Sequence, residues 1–289
     1  MAGTLIQNRI LPAHFFLGVA LAGFFWFASW THLGVLGEYS FFPQWLGYIL
    51  AVDGLVAWRK GASLLTRAPR EFAALFVLSA PIWWVFEGLN NFVLNWFYLG
   101  GENYSAAQII LIATINFSTV IPAVFETTEL VLTFPFLARL RAARQFALTP
   151  RACWTLMYAG AFGFAALVLL PGIAFPLTWV WLFLIVDPLN HLRGRAALIA
   201  QAARGDWRML VALALAALVC GFFWELWNFY ASPKWIYHVP FFGFAKIFEM
   251  PVLGYLGYIP FAWELYALYH FAWGVRRRLP RALETGAPG

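Results

Sequence analysis

The stretches WWVFEGLNNF, Trp83 to Phe92, and FFWELWNFY, Phe222 to Tyr230, are aromatic and apolar, yet each carries a glutamate followed three residues later by an asparagine. A carboxyl group in lipid is costly, so acids retained inside such runs mark either a function or a partner. The rest of the chain places both runs in a membrane. Of its 289 residues 63% are hydrophobic and 11% charged. Apolar windows of about 20 residues, enough to cross roughly 30 Å of hydrocarbon, recur with short polar gaps. The expected fold is an all-α integral membrane protein with about eight transmembrane helices, near residues 11–34, 42–58, 72–97, 118–138, 153–173, 175–191, 208–230 and 252–273. The first run is too long for a signal-peptide core and is expected to stay as an anchor.

The net charge of +6 follows topology rather than a nucleic-acid partner. Sorted by these spans, 17 of the 19 Lys and Arg fall on one side, leaving Lys234 and Lys246 on the other. Under the positive-inside rule both termini are then cytoplasmic, and the expected location is a bacterial inner (plasma) membrane. The two cysteines fall inside expected spans, so neither a disulfide framework nor a zinc pattern is expected.

The chain also repeats itself. Glu87 and Glu126 are 39 residues apart, as are Glu225 and Glu264, and an offset of 138 carries Asn90 onto Asn228 and Ile121-Pro122 onto Ile259-Pro260. Upstream, an offset of 134 carries Asp53 onto Asp187 and Arg59 onto Arg193. Two four-helix repeats, residues 1–145 and 146–289, follow from this. An even number of crossings per repeat makes them parallel, with a cavity expected where they face.

Asp53, Glu87, Glu126, Glu129, Asp187, Glu225 and Glu264 fall inside expected spans, with almost no cation beside them in the sequence. A buried carboxyl without a cation must be neutral, share a proton, bind a metal or meet water. The candidate catalytic residues are Glu87, Glu225, Glu126, Glu264, Asp53 and Asp187. Glu126 reaches the depth of Glu87 only if residues 105–116 form an interfacial or re-entrant segment on the outer face. Residues 232–251 read as a second such segment. Asn90 and Asn228 share a helix face with their glutamates and are candidate binding groups, as are Trp84, Trp224 and Trp263. Pro122 and Pro260 precede Glu126 and Glu264 by four residues and are expected to kink their helices.

No cofactor motif is evident, although the Glu and Asn pairs admit a hard divalent cation, Mg²⁺ or Ca²⁺. The plan of many spans, intramembrane acids and abundant aromatics is similar to that of integral-membrane cyclases of terpenoids and carotenoids, a likeness of chemistry without a shared motif. Three readings stay open: an enzyme acting on a membrane lipid or lipophilic small molecule, a proton- or cation-coupled transporter or channel, and a structural subunit bound to a membrane-protein partner.

Overall fold

The computed structural model describes residues 10–141 and 144–273; Arg9, Arg276, Arg277, Arg278 and Arg281, counted above for topology, lie outside the described residues. The helices are α1 (Ala13–Trp30), α2 (Gly34–Glu38), α3 (Phe41–Lys60), α4 (Leu64–Arg67), α5 (Pro69–Val93), α6 (Ala106–Phe117) and α7 (Val120–Val131). They continue as α8 (Pro150–Leu169), α9 (Pro171–Ala174), α10 (Trp181–Leu192), α11 (Leu198–Ala203), α12 (Arg208–Asn228) and α13 (Tyr258–Ala272). Six helical segments are long and apolar enough to cross a membrane: 13–30, 69–93, 106–131, 150–169, 171–192 and 208–228. The chain is therefore a multi-pass membrane protein. The other two expected spans are helical but fall outside that set. α3 includes Gln44, Asp53, Arg59 and Lys60, and α13 has 15 residues, entered through a 3₁₀ turn at Val252–Gly257.

α1 and α3 approach backbone to backbone. A Cβ on Gly18 would lie 2.4 Å from the Ala51 nitrogen, and one on Gly47 would lie 2.4 Å from the Ala22 nitrogen. Gly18 and Ala22 face Gly47 and Ala51, the small-residue spacing that lets membrane helices pack closely where lipid removes the hydrophobic drive. α1 buries little else, so this crossing holds it. Gly47→Val is expected to displace α1 and destabilise the protein by about 1–3 kcal/mol, as overpacking does. Thermal melting in detergent reads the loss, and Gly23→Val, at an open position of α1, should be near neutral.

The stretch 106–131 corrects the expected re-entrant segment at 105–116 and the expected span at 118–138. α6 and α7 run back along α5 as one helical stretch, interrupted only at residues 118–119, that is long and apolar enough for a single crossing. Trp84 Nε1 donates to Thr114 Oγ1 at 3.0 Å, and further along Ser79 Oγ donates to the Phe117 carbonyl at 2.5 Å and accepts from the Ile121 N–H at 3.0 Å. Ser79 thus satisfies backbone groups freed by the break, as an interruption at membrane depth requires. Pro122 and Pro260 are the third residues of α7 and α13. Pro260 needs no helical partner for its missing N–H at the start of α13, whereas the interruption at 118–119 falls where Pro122, four residues on, breaks the longer stretch 106–131.

Strands are the feature that the helical reading did not anticipate. β1 (Trp96–Leu99) pairs antiparallel with β2 (Lys234–Tyr237), and β3 (Lys246–Ile247) with β4 (Met250–Pro251). β1 lies in the end of the expected third span, and β2 in the segment read as interfacial. The β1–β2 ribbon lies at one end of the bundle: Phe41, at the start of α3, packs on Trp235, and Trp30, at the end of α1, packs on Tyr230 in the connection leading into β2.

Candidate functional site

The ribbon is the element that builds the site. Side chains alternate across a strand, so Trp96 and Tyr98 of β1 share a face with Trp235 and Tyr237 of β2. The register places Trp96 opposite Tyr237 and Tyr98 opposite Trp235. On that face the polar tips of the rings meet two carboxyls. Glu87 Oε1 accepts from Tyr98 OH at 2.5 Å, Trp83 Nε1 at 2.9 Å and Trp96 Nε1 at 3.2 Å. Glu225 Oε1 accepts from Tyr237 OH and Tyr258 OH, each at 2.7 Å, while Trp235 Nε1 donates to Tyr237 OH at 2.8 Å.

The asparagines hold this arrangement by gripping the ribbon backbone. Asn90 Oδ1 accepts from Asn95 N at 2.9 Å and Trp96 N at 3.3 Å, and its Nδ2 donates to the Trp96 carbonyl at 2.8 Å. Asn228 treats Trp235 alike, at 2.8 Å and 2.7 Å. Both amides therefore dock a strand on the helix end that carries its glutamate. Sequence reading missed Trp96, Tyr98, Trp235 and Tyr237. A signal was present: a Trp-x-Tyr triplet begins nine residues after Glu87 and ten after Glu225.

The two carboxyls differ in access. Glu225 is completely buried, and its Oε2 meets no hydrogen-bond partner. Glu87 is half-buried, and its surroundings open outward: its donor Tyr98 is 52% exposed, and Trp84, one turn earlier, 36%. Between the two sites the space expected to be a cavity is filled by rings. Phe261 sits edge-on to Trp83, Phe86, Trp179 and Trp224 at centroid distances of 5.4–6.4 Å, and Trp179 stacks on Phe86 and Trp96. An apolar groove of about 490 Å³ lies instead on the outside of α12, lined by Val131, Phe134, Phe136, Leu215, Val219 and Phe222.

The remaining candidates sit elsewhere. Glu126 lies beside Asp53 and Glu129, far from Glu87. Ser79 is level with Ile121, and a rise of about 1.5 Å per residue then separates Glu87 from Glu126 by about 20 Å along the bundle. Glu264 Oε1 accepts from Leu182 N at 3.0 Å, capping the start of α10. Asp187 accepts from Leu198 N at 2.8 Å and Ile199 N at 2.9 Å, which anchors α11, and Asp53 accepts from Leu65 N at 3.0 Å in α4. Trp224 is buried and stacks on Tyr258, and Trp263 donates to the Leu210 carbonyl at 3.0 Å.

Glu129 has what its sequence neighbourhood concealed. Its oxygens bond Lys60 Nζ at 2.8 Å and Arg67 at 2.6 Å, cations that the sequence places in a loop. Among the described residues no group of three or more His, Cys, Asp or Glu side chains comes together as a metal site. The chain matches no protein-family model, no curated protein and no solved structure.

Proposed function

We propose that the protein is a membrane-embedded enzyme that acts on a lipophilic, isoprenoid- or lipid-like substrate by carboxylate acid/base chemistry at Glu87. One observation carries this reading. Glu87 is fixed by three ring donors on one oxygen, and its surroundings open outward through exposed aromatic rings. A carboxyl oriented in this way can give a proton to an alkene or epoxide, or take one back, without a cofactor. Trp83 and Trp84 lie on the same helix, where ring faces can stabilise a developing positive charge. Glu225, sealed beneath Tyr237 and Tyr258, serves in this proposal as the structural counterpart.

The proposal extends to the architecture. α3 and the segment 252–272 complete eight crossings in two parallel repeats, 1–145 and 146–289, with both termini cytoplasmic in a bacterial inner membrane. The ribbon supports the duplication. A two-fold rotation that carries Trp96 onto Trp235 also carries Tyr237 onto Tyr98, so the observed register is the one that two equivalent strands adopt about a local axis. The filled interface between the sites favours an enzyme over a transporter with a central path. In reconstituted protein supplied with its co-extracted lipid, Glu87→Gln is expected to reduce turnover at least about 100-fold while lipid stays bound, the loss typical of a missing acid/base group. Glu225→Gln should keep most of the turnover. Undiminished turnover in Glu87→Gln defeats the proposal.

A further inference from the structure

At the end of the bundle opposite the ribbon, Glu126 is 1% exposed and neither of its oxygens has a hydrogen-bond partner. It faces Asp53, which is fully buried and has one bonded oxygen, on Leu65 N. The other oxygen of Asp53 is approached to 3.0 Å by His14 Nε2 of α1 without hydrogen-bond alignment. Two unsatisfied carboxyls packed together in an apolar interior are unfavourable unless positive charge lies between them.

A protonated His14 offers charge to Asp53 alone, and the other charged and titratable groups do not supply it to Glu126. Lys60 of α3 and Arg67 of α4 both bond Glu129, so three carboxyls share two cations. Arg59 turns to Thr133 at 2.5 Å and over the Phe134 ring. Glu71 of α5 adds negative charge against Tyr269 of α13, which packs on Phe125. Tyr48 of α3 and Cys220 of α12 meet at Thr127. The equivalent acid by the 138 offset, Glu264, has one oxygen held by the start of α10 and the other without a partner, and no helix begins opposite Glu126 because α3 runs unbroken there.

We propose that Asp53 and Glu126 form a binding site for one monovalent cation, a proton or Na⁺, shared between their facing carboxyls. The site is independent of the chemistry assigned to Glu87. A ligand that binds only the folded protein stabilises it by mass action, so a proton here adds stability at low pH that is lost as pH rises.

Thermal melting of the full-length protein in detergent, in choline chloride, tests this. The wild-type melting temperature is expected to fall by several degrees between about pH 6 and about pH 9, an effect of the size that one linked proton gives. Glu126→Gln and Asp53→Asn should remove most of that fall, and Glu264→Gln should retain it. Recovery at high pH on exchanging choline for Na⁺ assigns Na⁺ as an occupant, and no recovery assigns the proton alone. A flat wild-type profile, or a fall that survives in either Glu126→Gln or Asp53→Asn, overturns the site; survival in Glu126→Gln alone assigns the fall to the His14–Asp53 pair. Infrared spectra of the wild type need no substitution: a protonated-carboxyl band at low pH that vanishes as pH rises or Na⁺ is added is expected, and its absence at low pH contradicts the proposal.

Discussion

Phe261→Ala is expected to destabilise the protein by about 3 kcal/mol, the lower end of the range for deleting a buried phenyl ring. Phe261 is 1% exposed and touches Trp83, Phe86, Trp179 and Trp224. In a membrane protein the unfolded reference is itself apolar, so the cost comes from lost dispersion contacts and the void rather than from transfer to water. Rigid rings cannot collapse into the gap, which keeps the cavity open. The change should also reach both glutamates. Trp83 packs on Phe261 and donates to Glu87, while Tyr258, one turn before Phe261, donates to Glu225. Melting in detergent measures the stability, and a shift in tryptophan emission is expected with it. Phe261→Leu should restore about half the loss by refilling part of the volume.

Glu129→Ala is expected to cost about 3–4 kcal/mol, because removing one member of a buried ion cluster strips Lys60 and Arg67 of the carboxyl they bond. Arg67 is 17% exposed and Lys60 34%, so Arg67 carries most of the penalty and Lys60 escapes to solvent in part. A double-mutant cycle reads the coupling. Glu129→Ala combined with Arg67→Leu should be less destabilising than the sum of the single changes, since the orphaned charge disappears with its partner. Strict additivity would show that the pair does not couple.

The helices were legible because lipid demands long apolar runs, and the expected spans at 11–34, 42–58, 208–230 and 252–273 coincide closely with α1, α3, α12 and the 252–272 segment. The second set of boundaries was not. At 118–119 the chain breaks and continues, and what makes that break tolerable is the hydroxyl of Ser79 on another helix, about 40 residues away. Of the site, the two glutamates were visible as charges in oil. Their donors were hidden because Trp and Tyr in such runs read as lipid-facing composition. The ribbon that aligns them joins strands 138 residues apart, a pairing that local alternation does not encode. The asparagines were visible as repeated positions, but they grip the strand backbone, which no spacing within one helix foretells. Glu129 looked unpaired because positive charge in a following loop reads as topology, whereas Lys60 and Arg67 fold back onto it.

Mass spectrometry of the organic extract of the purified protein, wild type beside Glu87→Gln, is the direct measurement of what the ribbon site does. An enzyme working at Glu87 yields a chemically altered lipid from the wild type and its unaltered precursor from the variant, bound to a protein of unchanged melting behaviour. Identical lipids in both extracts would show that Glu87 performs no chemistry on the bound molecule and that the site serves another purpose.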